Sequence, residues 1–149
     1  MEDDRTYSFF RFEDLRIYEK AVAYVEWVYN TTNLFPEIET TGGLAARFLK
    51  ASQNIAINIA DGSAKNKNQF ITQLKEAKSA VRECVVITTI ASRLKYISEE
   101  TMDESREHLM EISKMMGALI SSLQRGNNRR QQNQEREEVS EEKEEKYIN

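Results

Sequence analysis

Residues 67–97 read KNQFITQLKEAKSAVRECVVITTIASRLKYI, and this segment has the clearest helical pattern in the chain. Its apolar and small side chains recur in alternating steps of four and three residues, which is typical of a helix in an antiparallel bundle. The predicted core stripe consists of Phe70, Leu74, Ala77, Val81, Cys84, Thr88 and Ala91. A second apolar strip of Ile87, Ile90 and Leu94 predicts that this helix contacts two neighbours.

Three further amphipathic segments surround this helix, at residues 12–33, 44–62 and 101–124. Asn66 with Gln69 resembles a capping box at the start of the long helix, and Thr101 with Glu104 resembles another. For the first segment, the predicted core stripe is Leu15, Val22, Val25 and Tyr29, widened by Tyr18, Ala21 and Val28. Short polar links join the segments, so each helix should reverse the direction of the previous one.

These patterns predict an all-α fold, an antiparallel up-down-up-down four-helix bundle with a disordered C-terminal tail. The predicted organisation is an N-terminal extension at 1–11, the bundle at 12–125 and a charged tail at 126–149. The tail is expected to be disordered because Val139 and Ile148 are its only aliphatic residues. A short frayed helical extension is the alternative, since Glu and Lys favour helix.

Several features place the chain in the cytoplasm. No apolar run approaches the roughly 18 residues that a membrane span needs. The N-terminus reads MEDD, which has no signal-peptide pattern. Cys84 is the single cysteine and has no partner for an internal disulfide. We therefore expect a reducing environment and no membrane association.

The charge distribution suggests a function. The net charge is −4, yet the segment from Leu44 to Lys95 contains 9 basic and 3 acidic residues. The segments on either side of it are acidic. If the polar faces of the second and third helices lie side by side, they form one broad basic surface. Such an array suits the phosphate backbone of nucleic acid, without base specificity. The alternative on the residues alone is that these charges are the solvated outer face of a bundle. The predicted nucleic-acid-binding residues are Arg47, Lys50, Lys65, Lys67, Lys75, Lys78 and Arg82.

Two other functions stay open on the residues alone. One is a protein–protein scaffold, in which basic helices meet acidic helices of another subunit or of an acidic partner. The other is an enzyme acting through Glu76, Glu83 or His108, for which the sequence offers no supporting motif. We expect no enzyme activity, no cofactor and no metal. Cys84 should be a buried core residue, and His108 should lie on a solvated acidic face. Glu76 and Glu83 should each bond a basic or polar side chain of another helix.

The chain also resembles a known family in three stretches. Residues 12–21 read FEDLRIYEKA, residues 51–62 read ASQNIAINIADG, and residues 94–97 read LKYI. These resemble the four-helix-bundle proteins encoded in intervening sequences of bacterial 23S ribosomal RNA genes, the S23-type family. The resemblance covers residues 12–97. Asp61 stands where that family usually has Glu, and the Glu-rich tail is not part of its pattern.

The resemblance implies a homo-oligomer, a ring of five subunits. It further implies kinship with the accessory variability protein of diversity-generating retroelements, which binds nucleic acid and partners a reverse transcriptase. The expected partners are therefore further copies of this chain, RNA or DNA, and a reverse transcriptase or another protein. No enzyme activity is implied.

Overall fold

The computed structural model describes residues 9–148. Within that range lie four α-helices: α1 is Arg16–Thr32, α2 is Leu44–Ser63, α3 is Lys67–Arg93 and α4 is Glu99–Ile148. Short 3₁₀ helices precede α1 at Arg11–Asp14 and connect α1 to α2 at Glu37–Glu39. The described residues contain no β-strand, so the predicted all-α fold class is confirmed.

The helices form a four-cornered bundle. α1 packs on α2, α2 on α3 and α3 on α4, and α4 closes the bundle against α1. The α2–α3 interface is the most extensive, and within residues 9–148 the backbones of the helices at opposite corners stay apart. Each connection is short and reverses the chain direction, which is the predicted up-down-up-down arrangement.

The core stripe of α3 is confirmed at every position. Phe70, Leu74, Ala77, Val81, Cys84, Thr88 and Ala91 are all buried. The start of the helix is also as predicted, because the side chain of Asn66 accepts a hydrogen bond from the backbone N–H of Gln69 at 2.9 Å. The other helices contribute fully buried side chains such as Tyr24, Phe48 and Ile112. One continuous core therefore joins all four helices.

The buried face of α1 matches the predicted one only in part, since Ala21 and Val28 are buried as predicted but other positions differ. Val22 and Tyr29 are 43% and 50% exposed, whereas Ile17 and Tyr24 are buried. The two alternative stripes have the same helical spacing, so periodicity alone does not separate them. Tyr24 can be buried because its hydroxyl has a partner, Ser105 of α4, at 2.8 Å.

α3 ends before the predicted end at Ile97, so the link to α4 is longer than predicted. Lys95 has a positive φ of 62°, and the N–H of Tyr96 donates to the carbonyl of Ala91 at 2.9 Å. This is the bonding pattern of a helix C-terminus, so α3 ends at Arg93. Ser98 then caps α4, because its Oγ accepts from the N–H of Thr101 at 3.1 Å. The predicted cap at Thr101 is therefore wrong by three residues.

The prediction of a disordered tail is also wrong. α4 continues without a break through Gly126 to Ile148, and only Asn149 of the tail lies outside the described residues. The tail is rich in Glu, Lys, Arg and Gln, which favour helix, and the preceding turns of α4 already supply the nucleus. Its first turns also cover Ile71 of α3, which is buried.

Candidate nucleic-acid interface

The seven predicted basic residues do not form one continuous surface. Arg47 and Lys50 line a groove between α2 and α3, Lys65 and Lys67 lie at the α2–α3 turn, and Lys75, Lys78 and Arg82 lie on the far side of α3. The broad surface expected across the α2–α3 hairpin is therefore divided by the packing. The three sets also differ in how their charges are compensated.

Arg47 is held by a carboxylate in the α2/α3 groove. Its Nε donates to Glu83 Oε1 at 2.9 Å across the two helices. The groove has a volume of about 540 Å³ and is also lined by Lys50 and Asn54. The pair confirms the prediction for Glu83, whereas Glu76 is exposed and bonds no side chain of another helix among the described residues. The Arg47–Glu83 pair also offsets the charge of Arg47, which leaves Lys50 as the uncompensated cation there.

The turn between α2 and α3 is compensated as well. Lys65 Nζ lies 3.1 Å from Asp61 Oδ2, and Gln73 Nε2 donates to the same oxygen at 2.7 Å. The Gln73 hydrogen bond, followed by the hydrogen bond and charge of Lys65, lowers the pKa of the Asp61 carboxyl below its ordinary value. Lys67 is half-buried against α4, since a Cβ on Gly126 would lie 3.0 Å from its Nζ.

Lys75, Lys78 and Arg82 occupy the shoulder of α3 that faces α4. They follow one another at about one helical turn, in a strip that begins at Ile71 and ends at Val85. Ile71 and Val85 line grooves that α3 shares with α4, which fixes the direction of the strip. All three cations are exposed, and no carboxylate of the described residues pairs with them.

α4 adds two cations that the sequence reasoning missed. Arg106 and Lys114 line a groove of about 360 Å³ whose walls include Val81, Val85 and Met110. Arg106 Nη2 donates to the hydroxyl of Thr89 on α3 at 3.2 Å, which anchors it beside the groove. We name this surface the α3/α4 basic strip, and it consists of Lys75, Lys78, Arg82, Arg106 and Lys114.

The net charge of the α4 segment does not reveal Arg106 and Lys114, because acidic side chains elsewhere around the helix outnumber them. Glu111 lies on the side of α4 that faces α1, where it pairs with Lys20 at 3.1 Å. Arg106 and Lys114 lie towards α3. Arg106 and Ser113 are two helical turns apart and line the same groove, and Lys114 follows Ser113. This spacing is the sequence signal that places Arg106 and Lys114 on one side of α4.

His108 is not on a solvated face, contrary to prediction. It is half-buried between α4 and α1, with its ring centroid 5.8 Å from that of Tyr24 and 5.9 Å from that of Trp27. The same interface includes a hydrogen bond from Trp27 Nε1 to Glu104 Oε2 at 3.3 Å. The histidine therefore contributes to an aromatic contact between helices.

Cys84 is a buried core residue, as predicted. Burial raises the pKa of its thiol to about 12, so the thiol stays protonated and unreactive at neutral pH. Burial likewise raises the pKa of the neighbouring Tyr24. Among residues 9–148, no group of three His, Cys, Asp or Glu side chains is placed to hold a metal ion. In the same range, no helix is both long and apolar enough to cross a bilayer.

Comparisons with known proteins place the chain in a family. A family model described as 23S rRNA-intervening sequence protein matches residues 13–118. A search of curated protein sequences found no match.

Among solved structures, the chain is similar to a protein of unknown function from the S23 ribosomal protein family of Bacteroides thetaiotaomicron, with a TM-score of 0.65 and 18% identity. That match covers 70% of this chain and 95% of the other. The family model spans most of the bundle, so this chain belongs to the 23S rRNA-intervening sequence protein family.

Proposed function

We propose that this protein is a non-enzymatic, oligomeric bundle that binds the phosphate backbone of RNA or DNA through the α3/α4 basic strip. It would act as an accessory to an RNA-related or reverse-transcription-related process. The observation that carries the proposal is the strip itself. Lys75, Lys78 and Arg82 are exposed at successive turns with no carboxylate of the described residues bonded to them, and Arg106 and Lys114 stand across the adjoining groove.

The negative charge of the whole chain does not oppose this function. Arg47 and Lys65 have carboxylate partners, and acidic Glu111 faces α1. The α3/α4 basic strip therefore concentrates uncompensated positive charge on one side of the bundle. Local potential of this kind raises the concentration of polyanions at the surface even when the net charge is negative. Of the seven residues predicted from sequence, we expect Lys75, Lys78 and Arg82 to contribute most.

Binding by this strip should be largely independent of sequence. Lysine ammonium groups bind phosphate oxygens as point charges, and such contacts carry no sequence information. Each neutralised phosphate releases counterions, so affinity should fall steeply with salt. An accessory role that acts on many sequences fits this mode of binding. A reverse transcriptase or another protein as partner stays a prediction.

The test is a filter-binding titration with a short single-stranded RNA and a DNA duplex, at low and moderate salt. A triple variant, Lys75→Glu with Lys78→Glu and Arg82→Glu, should bind at least about tenfold more weakly, and its salt slope should fall by about 2 to 3. A variant with the same charge change on α2 serves as the comparison, with substitutions Arg47→Glu, Lys50→Glu and Lys65→Glu. It should lose less affinity, because Arg47 and Lys65 are already paired.

Two outcomes would overturn the proposal. Absence of binding at low salt would remove nucleic acid as a ligand. Binding with little dependence on salt would remove the phosphate mechanism. A protein that assembles normally but retains neither RNA nor DNA would favour the protein–protein scaffold instead.

Self-association is supported by a separate apolar surface. Phe9, Phe10 and Ile57 are 93%, 57% and 58% exposed. They line one groove of about 620 Å³ between the first 3₁₀ helix and the end of α2, together with Phe12 and Ala60. Exposed apolar clusters of this kind mark interfaces. We take this surface as the contact through which copies of the chain assemble, and a ring of five is the arrangement that the family resemblance implies.

Sedimentation equilibrium tests this assembly. The variant Phe10→Ser with Ile57→Ser should shift the protein towards the mass of a single chain, because the buried apolar area that drives association is removed. Val86→Ser is the matched control, since Val86 is an exposed valine of α3 outside this surface. An unchanged mass in the double variant would place the interface elsewhere.

A further inference from the structure

The part of α4 beyond the bundle carries one face with an unusual composition. Glu135, Glu138 and Glu142 lie on the same side of the helix, at spacings of three and four residues, and Val139 lies between them. Val139 is 51% exposed, and the three glutamates are exposed as well. Lys146 follows one turn later and ends the acidic run. This acidic face, defined as Glu135, Glu138, Val139 and Glu142, is exposed, and no other helix of the described residues covers it.

The groove between α3 and α4 has the complementary composition. Its walls are the apolar side chains Val81, Val85, Leu109 and Met110, and Arg106 and Lys114 stand on its edge. Arg82 belongs to the same strip of α3, one residue beyond Val81. The acidic face of α4 has an apolar centre bordered by carboxylates, and the α3/α4 groove has an apolar floor bordered by cations. The two surfaces are therefore complementary in both polarity and charge. Helices that dock in grooves use this combination of one apolar anchor and surrounding charge pairs.

The two surfaces cannot meet within one chain. Val139 and Met110 are 29 residues apart on a single unbroken helix, which separates them by about 44 Å along its axis. α4 would have to break and fold back to bring them together, and it is continuous from Glu99 to Ile148. The acidic face can therefore reach such a groove only on another molecule.

We infer that the acidic face of α4 in one copy of this protein docks into the α3/α4 groove of a second copy. Val139 enters the groove, and Glu135, Glu138 and Glu142 meet Arg82, Arg106 and Lys114. The surface is the one that the proposed function uses, so the docked helix competes with nucleic acid for it. The contact itself needs no nucleic acid, and it is separate from the Phe9, Phe10 and Ile57 surface.

Zero-length carbodiimide coupling tests the contact directly, because it joins a carboxylate to a lysine amine only where the two touch. The full chain is prepared with ¹⁴N and with ¹⁵N, and the two preparations are unfolded and refolded together. Mass spectrometry should then find amide cross-links from Glu135, Glu138 or Glu142 to Lys78 or Lys114. These should join chains with different labels.

Charge variants test the specificity of the docking without removing the residues that cross-link. Arg82→Glu with Arg106→Glu should lower the yield of mixed-label cross-links about tenfold, because like charges then face one another. Adding Glu135→Arg and Glu142→Arg to that variant should restore the cross-links made by Glu138. The matched control is Arg16→Glu with Arg93→Glu, which makes the same change of net charge elsewhere and should leave the yield unchanged.

Three outcomes would overturn the inference. These are a lack of cross-links from the acidic face, cross-links confined to single-label pairs, and a yield that the Arg82 and Arg106 reversals do not change. Filter binding of RNA is also measured on the variant Glu135→Gln with Glu138→Gln and Glu142→Gln, in which the acidic face no longer competes for the strip. Absence of RNA binding by this variant would count against the proposed function alone, and RNA binding by the unchanged protein without cross-links would count against the docking alone.

Discussion

The hydroxyl of Tyr24 on α1 lies 2.8 Å from the hydroxyl of Ser105 on α4, and both side chains are fully buried. This hydrogen bond joins the first and last helices of the bundle, which share less contact than the other neighbouring pairs. Each hydroxyl satisfies the other where water does not reach, so the pair permits a tyrosine and a serine in the core. It thereby selects which face of α1 is buried.

The effects of removing the two hydroxyls on the free energy of unfolding should not be additive. Tyr24→Phe and Ser105→Ala should each lower the free energy of unfolding by about 1 to 2 kcal/mol, because each leaves a buried hydroxyl short of a partner. The double variant should lose less than the sum by about 0.5 to 1 kcal/mol. Urea denaturation of the four proteins measures this coupling. Strict additivity would show that the bond contributes nothing beyond packing.

Two helical glycines should respond in opposite directions to alanine. A Cβ at Gly62 would lie 2.9 Å from Phe70 Cδ2 and 3.0 Å from Gln73 Cβ, so Gly62→Ala should destabilise the fold by about 1 to 3 kcal/mol. A Cβ at Gly117 would meet nothing within 4 Å. Gly117→Ala should therefore stabilise the fold by about 0.5 to 1 kcal/mol. Thermal or urea unfolding compares them, and the same sign for both would contradict the prediction.

The pH dependence of Asp61 follows from its two partners. Its pKa in the folded state lies below the ordinary value, mainly through the Gln73 hydrogen bond and then through Lys65. The ionised carboxylate therefore favours the folded state, and this contribution is lost as the pH falls from about 4 through the folded-state pKa. Gln73→Met should raise the Asp61 pKa towards its ordinary value, and Lys65→Met should raise it less. Carboxyl ¹³C NMR measures both, and no change with Gln73→Met would refute the assignment.

The helical extension of α4 depends on continuity through Gly126. Gly126→Pro should lower the helix content by the part of the chain that follows, because proline removes a hydrogen bond and clashes with the preceding turn. Gly126→Ala should increase protection of the following amides, since its Cβ would meet only the flexible end of Lys67. Circular dichroism and amide hydrogen exchange provide the measurements. A helix content unchanged by the proline would show that the extension is not helical in solution.

The sequence predicts a helix well where its apolar pattern allows only one face of that helix to be buried. The stripe of α3 is such a case, because its outward positions between Lys75 and Arg82 are polar and only one face can be buried. The predicted and observed faces of α1 overlap at Ala21 and Val28, so helical spacing does not decide between Tyr24 and Tyr29. The hydroxyl partner of Tyr24 is Ser105, which is 81 residues away in the chain. Periodicity holds no information about that partner.

The candidate site required tertiary structure for a similar reason. The spacing of Lys75, Lys78 and Arg82 predicts that they share one face of α3. It does not predict which neighbouring helix lies beside that face. The contact of Ile71 and Val85 with α4 places these cations beside Arg106 and not beside Arg47. Pairing also removed Arg47 and Lys65 from the free cations, and no local pattern indicates which cations find carboxylates across a helix interface.

The length of α4 also determines how the molecule moves through solution. Its 50 residues extend about 75 Å, whereas a compact chain of this size has a radius of gyration of about 15 Å. A projecting rod adds hydrodynamic friction but almost no mass. One chain should therefore diffuse slowly and elute early from a sizing column, at the volume of a heavier compact protein. The number of subunits in an assembly must accordingly be obtained from mass and not from elution volume.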